Sequence, residues 1–495
     1  MKKYMLHTLG FAVILTFALS CKDDDYIPPR ILPPEVEPVY IQPDYTPHVD
    51  GEPYTSCEGL IMCGYQGWHA CPGDGSPSSE AEGWSHYNQS WNFPRFFAPG
   101  VGRNSIDFWP DTREYEKTYE ATAFTCPDGS HPKLFSAYDE SSVKLHFKWM
   151  KDYGIDGVFM QRFASQVGNS IAIVHQNKVL ESAMAASETY GRAICIMYDM
   201  VGTNTTATVD ELIADAQGLI NKYHINDPIN GPRYYLQHNG KPLIGIVSVR
   251  EDADWGIADC KRFVDALKDM GFSIIISCDT YWRTGGGDVT YPTGPLQALI
   301  KEADFLTPWY TGRYDYDGAA DAFGGAFDSF KKDVIKNDKM WLDANGVEFV
   351  PLCFPGFSDQ NAFPGHRVFA RHGGDFFWKQ LHYNIASGAK MIYIAMFDEI
   401  DEGTAIYKCL NEKDLPSNVY SSDYYVVYQN GTYSRKTTPV TLSSPDWCAL
   451  ASTLGISFKG IEDNLGTDHY LWLAGQAGRM MRGEIPVTET QPKRN

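Results

Sequence analysis

Four carboxylates occur within five positions at the end of one apolar segment. Residues 392–397 are almost wholly apolar, and Asp398, Glu399, Asp401 and Glu402 follow directly. Glu399 and Glu402 are three positions apart, so a helical turn would place both on one side of the chain. Two carboxylates that face one substrate can divide glycosidic cleavage between them, one protonated as the acid and the other ionised. The pattern therefore predicts Glu399 and Glu402 as catalytic carboxylates.

Two other interpretations of this acidic segment remain open. Adjacent carboxylates also occur in loops that only contact solvent. Asp398, Asp401 and a carbonyl group would suit Ca²⁺, although the spacing of an EF-hand loop is missing. No Gly-rich phosphate loop follows any apolar segment, and the cysteines lack CxxC or zinc-ligand spacing. We therefore predict neither a metal site nor a cofactor.

Polar and aromatic side chains follow the other apolar segments as well. If these segments are parallel strands of a barrel, their carboxyl ends form one rim, where ligands bind. Their joint placement around such a rim predicts substrate contacts. The predicted contacts are Tyr65, Trp68, Arg162, Asp199, Asp279, Trp282, Trp309, Tyr310, Asp398 and Asp401.

Several of these residues have a second interpretation. Arg162 either contacts substrate, orients a carboxylate or forms a supporting salt bridge. Asp199 and Asp279 both end strands, so they are an alternative nucleophile and acid pair, or structural residues. Rings that can stack on a sugar can equally pack in a core. This ambiguity applies to the four candidate sugar platforms, which are Trp68, Trp282, Trp309 and Tyr310.

Eight short segments are apolar along nearly their whole length, which is typical of strands covered by helices on both faces. Amphipathic helical spacing lies between them, and a glycine ends four of the helical segments: Gly154, Gly191, Gly271 and Gly388. Eight alternations predict an α/β fold, a (β/α)8 TIM barrel, rather than an open doubly wound sheet. The segments are residues 60–68, 156–163, 192–199, 242–249, 272–279, 303–310, 348–354 and 390–397.

Two regions depart from this alternation. Residues 69–140 predict a long loop-rich insertion between the first strand and its helix, and residues 408–495 predict the final helix with a closing segment. Together with the eight units they form one predicted catalytic domain over residues 57–490.

The N-terminus predicts an exported lipoprotein. Residues 1–20 have a basic start and an apolar stretch that ends in small residues, as a signal peptide does. Cys21 follows at the position where a bacterial lipobox carries its acylated cysteine. Residues 21–56 are acidic and then Pro-rich, which favours an extended tether. The acidic run after Cys21 resembles an export signal to the cell surface, or it is a solvated linker, so we expect an outer-membrane lipoprotein exposed on the surface.

The composition of the chain limits the classes of molecule that it can bind. The net charge of −20 argues against nucleic acid and anionic membrane surfaces as partners. Aromatic residues make up 14% of the chain, which suits a sugar-binding cleft or a large core. Cys71 and Cys126 flank a long loop, and their pairing stays open.

Residues 397–406, FDEIDEGTAI, resemble the strand-end motif NEWHEGTQI of glycoside hydrolase family 99 and its relatives in family 71. Glu399, Glu402, Gly403, Thr404 and Ile406 match this motif. Further segments similar to the wider group are GYQGW at 64–68, FMQRF at 159–163, FPGF at 354–357 and RGEIP at 482–486. The resemblance extends over nearly all of the mature body.

The resemblance implies a retaining hydrolase of α-linked glycans on a TIM barrel. It assigns Glu399 as a base toward the sugar 2-hydroxyl, which closes a 1,2-anhydro intermediate, and Glu402 as the acid and base at the leaving oxygen. Ile400 and Asp401 depart from the motif, which leaves α-mannan-like and α-glucan-like substrates open. The expected partners are an oligo- or polysaccharide, the outer membrane through a lipid anchor, and other glycan-uptake proteins. The alternative is a surface glycan-binding lipoprotein without catalysis.

Overall fold

The computed structural model describes residues 45, 48–88, 96–100, 102–201, 207–253, 255–318, 324–364, 366–418, 425–429, 432–444, 446–450 and 457–494. The predicted signal peptide, Cys21 and the tether as far as residue 44 lie outside the described residues.

Eight parallel strands form the centre of the protein, and each coincides with one predicted segment. They are β1 Leu60–Tyr65, β2 Gly157–Phe163, β3 Ala193–Asp199, β4 Lys241–Val249, β5 Ser273–Cys278, β6 Phe305–Leu306, β7 in two pieces, Glu348–Phe349 and Leu352–Cys353, and β8 Met391–Ile394. Nearly all of their side chains are buried, as their apolar sequences require.

The pairing of β7 closes the sheet into a barrel. From β1 the pairing runs through β2, β3, β4 and β5 to β6 on one side, and to β8 on the other. The first piece of β7 pairs with β6 and the second pairs with β8, all in parallel. Because only two residues separate these pieces, one strand joins both edges. The predicted TIM barrel is confirmed, and the open sheet is excluded.

Eight helices follow the strands in turn. They are α1 Glu140–Tyr153, α2 Ala172–Tyr190, α3 Val209–Tyr223, α4 Ile257–Asp269, α5 Thr293–Ile300, α6 Lys336–Asn345, α7 Asp375–Ala386 and α8 His469–Met481. A capping box between Thr208 and Glu211 begins α3, and Gly154 ends α1 in the left-handed conformation. Among the described residues, no helix combines the length and apolarity that crossing a membrane requires.

Smaller elements lie in the connections. The insertion after β1 contains a helix at Pro77–Glu82 and the strand pair Tyr119–Glu120 and Lys133–Leu134, so it is loop-rich as predicted. An antiparallel sheet of three strands, which the sequence analysis did not predict, separates β8 from α8. Its strands are Tyr425–Gln429, Thr432–Lys436 and Trp447–Leu450. The remaining short elements are helices Ala164–Val167, Phe327–Phe330, Lys331–Ile335, His372–Gly374 and Glu412–Asp414, and strands Gln237–His238, Phe357–Ser358 and Val368–Phe369.

The cysteines of the described residues are free thiols. Cys71 donates a hydrogen bond to the carbonyl of Phe135 over 3.3 Å, and it forms no disulfide with Cys126. Most of the others are buried, as expected for small apolar side chains.

Candidate active site

The acidic segment lies where β8 leaves the barrel. After Ile394 the chain turns sharply, and the N–H groups of Thr404 and Ala405 donate to the carbonyl of Glu399 over 3.0 and 2.7 Å. Glu399 is buried, whereas Glu402 is partly exposed. Both residues therefore follow the carboxyl end of a barrel strand, where barrels of this kind place their chemistry.

Asp398 connects this turn to the end of β1 through hydrogen bonds. Its two carboxylate oxygens accept hydrogen bonds from the backbone N–H groups of Gln66 and Gly67, each over 2.8 Å. Both oxygens are thus engaged by the backbone of a neighbouring strand. The prediction that Asp398 contacts substrate is not supported, because its geometry is that of a residue that positions Glu399.

Gln66 links β1 to the predicted base. Its Nε2 donates to Oε2 of Glu399 over 3.0 Å, while its Oε1 is buried and accepts no hydrogen bond within the described part of the chain. In the sequence, the segment GYQGW carries only a resemblance, and no pattern in it distinguishes Gln66. The contact shows that Gln66 belongs to the site.

Burial dominates the electrostatics of the two glutamates. It raises the pKa of Glu399 well above the ordinary value, and repulsion from Glu402 and then Asp401 adds to the effect. Burial also raises the pKa of Glu402 to about 7, with Asp401 and Asp359 contributing, while Arg313 and Arg367 act in the opposite direction. Because each charge opposes the other, the pair retains a proton near neutral pH. Such a pair can supply both an acid and a base.

Two of the four positions at which the acidic segment departs from the motif that it resembles, Ile400 and Asp401, have different surroundings. The Ile400 side chain is fully buried, and its carbonyl accepts hydrogen bonds from the N–H groups of Asp107 and Phe108, in the insertion. Asp401 is buried as well, and its Oδ2 lies 3.7 Å from Nδ1 of His86, which also belongs to the insertion. The insertion therefore completes the site, and sequence analysis missed His86 because no pattern distinguishes it there.

Two predicted sugar platforms and one predicted contact are core residues. Trp282 and Tyr310 are fully buried and both donate hydrogen bonds to Asp338, over 3.2 and 2.8 Å. Tyr65 is fully buried and hydrogen-bonded to Nδ1 of His146 over 2.8 Å. A ring without an exposed face cannot stack on a sugar, so none of the three is supported as a substrate contact.

Arg162 serves as a buried structural cation. Its guanidinium forms a bidentate ion pair with Asp215 of α3, with Nε 2.6 Å from Oδ2. It also donates a hydrogen bond to Asn177 of α2 over 3.0 Å. The hydroxyl of Tyr198 donates to the same carboxylate over 2.6 Å. Of the interpretations left open by the sequence, the structure matches the supporting salt bridge.

Three other predicted residues do lie at the ends of their strands. Asp199 accepts from Ser248 over 3.0 Å, and Asp279 accepts from Tyr291 over 3.1 Å; burial raises the pKa of each aspartate to about 6. Trp309 is partly exposed, and its ring meets Tyr393 edge-on with the centroids 6.3 Å apart. Trp309 thus keeps the partial exposure that a platform requires.

Within the described residues, no three side chains of His, Cys, Asp or Glu are arranged to hold a metal ion.

Comparison with known proteins yields matches in structure alone. No family model and no curated protein matches the sequence. The fold is similar to the GH99 endo-α-mannosidase from Bacteroides thetaiotaomicron, in complex with bis-tris propane, with a TM-score of 0.53 and 14% identity over 87% of this chain and 99% of that one. A second structure of the enzyme gives a TM-score of 0.51 and 14% identity over 86% and 99%. At this identity the likeness shows the fold, which is a TIM barrel.

Proposed function

We propose that this protein is a glycoside hydrolase that cleaves α-linked glycans with retention of configuration. One observation carries the proposal: Glu399 and Glu402, each with a pKa that burial raises, both follow the last strand at the C-terminal mouth of a barrel. Support comes from the similarity of the fold to an endo-α-mannosidase and from the resemblance of residues 397–406 to the family 99 motif.

We assign Glu402 as the acid and Glu399 as the base. The pKa of Glu402 near 7 leaves it protonated in a useful fraction of molecules at neutral pH, and its partial exposure suits contact with a leaving oxygen. Glu399 accepts a hydrogen bond from Gln66, which favours its ionised form against the effect of burial. The productive state has Glu399 ionised and Glu402 protonated. Because the pKa of each glutamate is raised and the two groups are coupled, this is one of the two ways in which the pair holds a single proton.

In the first step Glu399 takes the proton of the sugar 2-hydroxyl, and O2 attacks C1 to close a 1,2-anhydro ring. The bond from C1 to the leaving oxygen breaks while Glu402 donates its proton to that oxygen. In the second step Glu402 takes a proton from water, and the water oxygen attacks C1. The bond from C1 to O2 then breaks, and Glu399 returns its proton to O2. Two inversions at C1 give retention.

The substrate class that we propose is an α-mannan-like or α-glucan-like oligo- or polysaccharide. The 1,2-anhydro route applies to the α-mannan-like substrate, in which the 2-hydroxyl is trans to the leaving oxygen. In an α-glucoside these two groups are cis, so O2 cannot attack C1 from the opposite face. Trp309, Asp199 and Asp279 surround the mouth of the barrel and are the remaining candidates for binding it. Acylation of Cys21 would hold the enzyme at the outer membrane, on the cell surface, beside other glycan-uptake proteins.

A screen of the purified protein against α-mannans, α-1,3-glucans and arabinose- or xylose-containing glycans tests the proposal. We expect the wild type to release oligosaccharides from an α-linked glycan, and Glu402→Gln to release almost none, as read by product chromatography. Gln176→Met is a matched control, because Gln176 bonds to Gln166 rather than to either glutamate. Tight glycan binding with no cleavage would favour the glycan-binding protein, and neither binding nor cleavage would refute both.

A further inference from the structure

The insertion brings one imidazole to the acidic turn. The ring of His86 lies flat on the indole of Trp68, with the centroids 4.0 Å apart and the planes 4° from parallel. Trp68 also stacks with Phe163, at the end of β2, over 5.4 Å. His86 therefore covers a face of the tryptophan that the sequence analysis had assigned to a sugar.

Asp401 fixes the orientation of this imidazole. The aspartate side chain is 0% exposed, whereas that of His86 is 23% exposed, and Oδ2 lies 3.7 Å from the buried Nδ1. That distance is too long for a direct hydrogen bond, and it places the carboxylate against the Nδ1 edge of the ring. With Nδ1 turned inward to Asp401, the exposed part of the side chain is the opposite side of the ring.

The backbone of His86 is held in a conformation that few side chains adopt. Its φ is +60°, in the left-handed region where histidine, asparagine and aspartate are tolerated best. Such a conformation persists when the surrounding structure demands it, and it is most common where a side chain has a task.

Two neighbouring polar atoms lack protein partners. Nε1 of Trp68 and Oε1 of Gln66 are buried and make no hydrogen bond within the described residues. One belongs to the residue beneath His86, and the other to the residue that contacts Glu399. A ligand rich in hydroxyl groups offers both donors and acceptors, so it matches these two atoms as well as an imidazole nitrogen.

We infer that His86, held by Asp401 and Trp68, is a specificity-determining residue that hydrogen-bonds a sugar hydroxyl at the acidic turn after β8. The inference rests on the proposed function and adds to it the residue that distinguishes one sugar from another. A stacking platform accepts any pyranose face, whereas an imidazole nitrogen requires a hydroxyl group at one ring position. Asp401 acts through His86 and is a positioning residue.

The test uses the full chain and the glycan that the wild type cleaves, together with monodeoxy analogues of that glycan. The 2-deoxy analogue is excluded, because the 2-hydroxyl takes part in the reaction. His86→Asn removes the imidazole while keeping a residue that tolerates the left-handed backbone. His224→Asn is the matched control, since His224 has a φ of +56° at the C-terminal end of α3, remote from the strand ends that form the mouth.

We expect wild-type kcat/KM to fall roughly 10-fold for one deoxy analogue, the range of a single lost hydrogen bond. The His86→Asn enzyme should show a similar loss on the parent glycan, mainly in KM, and no further loss on that analogue. Asp401→Asn should weaken the same discrimination, and the double variant should lose no more than His86→Asn. Thermal unfolding should stay close to that of His224→Asn.

Two results would overturn the inference. The first is a His86→Asn enzyme that keeps wild-type kcat/KM, or whose kcat/KM falls by the same factor on the parent glycan and on every deoxy analogue. His86 would then recognise no hydroxyl group, although the proposed function would stand. If the wild type neither cleaves nor binds any glycan, the proposed function is wrong, and the inference about His86 loses its basis.

Discussion

The side-chain amide of Gln66 donates a hydrogen bond to the carboxylate of Glu399 over 3.0 Å, which joins the ends of β1 and β8. This bond lowers the pKa of Glu399 in an environment where burial raises it. Removing the amide should therefore raise the pKa of the base further, so that fewer molecules carry it ionised at neutral pH.

Replacing Gln66 with Met should accordingly shift the rising limb of the pH profile of kcat/KM toward higher pH. We expect a loss of about 10-fold or more at pH 6, within the range of a hydrogen bond to a charged group. Gln176→Met, outside the catalytic pair, should leave the profile in place. An unchanged profile for Gln66→Met would show that the amide has no influence on the base.

Loss of the last proton from the pair of Glu399 and Glu402 should set the falling limb of the same profile. Burial raises the pKa of Glu402 to about 7, and Glu402 must be protonated to donate to the leaving oxygen. The kcat/KM for a natural glycan should therefore decline about 10-fold per unit as pH rises beyond the titration of that last proton. An aryl glycoside with a nitrophenolate leaving group needs little protonation, so its first step should decline far less. Equal declines for both substrates would contradict the assignment of Glu402 as the acid.

The interior of the barrel has no space for a side chain at residue 64. A Cβ on Gly64 would overlap the side chains of Met396 and Tyr393. Gly64→Ala should lower the free energy of unfolding by about 1–3 kcal/mol through overpacking. Gly218→Ala is the control: Gly218 lies within α3 with no atom near its Cβ position, so alanine should stabilise the helix by about 0.5–1 kcal/mol. Denaturant unfolding measures both, and a neutral Gly64→Ala would contradict the packing.

The N-terminal segment makes a separate prediction about location. Acylation at Cys21 should leave the body of the protein accessible to external protease on intact cells. Cys21→Ala should release or mislocalise it, as read by cell fractionation. Soluble periplasmic protein with an unmodified Cys21 would contradict the lipoprotein assignment.

The barrel could be predicted because its strands are buried on both faces. Such strands have sequences that stay apolar along nearly their whole length, and the polar residues that end them identify one rim. The acidic turn after β8 could be located from the same pattern, because four carboxylates follow the last apolar segment within five positions.

Side-chain direction at the rim could not be predicted in the same way. Trp282, Trp309 and Tyr310 all follow strands and look alike in the sequence, yet only Trp309 keeps an exposed part. The alternation of a strand stops at its last paired residue, and the irregular loop beyond it decides which ring turns into the core. His86 lies in a long insertion without periodicity, so only the fold brings it to Asp401.

The central claim is that Glu399 acts on the sugar 2-hydroxyl rather than on C1. The most direct measurement compares the turnover by the wild type of an activated α-mannoside, whose 2-hydroxyl is trans to the leaving group, with that of its 2-deoxy analogue, with Glu399→Gln measured alongside. We expect the 2-deoxy compound to be inert, and Glu399→Gln to lose about 10²-fold or more on every substrate, because the hydroxyl must lose its proton whichever group leaves. Turnover of the 2-deoxy compound, or a normal rate for Glu399→Gln, would contradict the account.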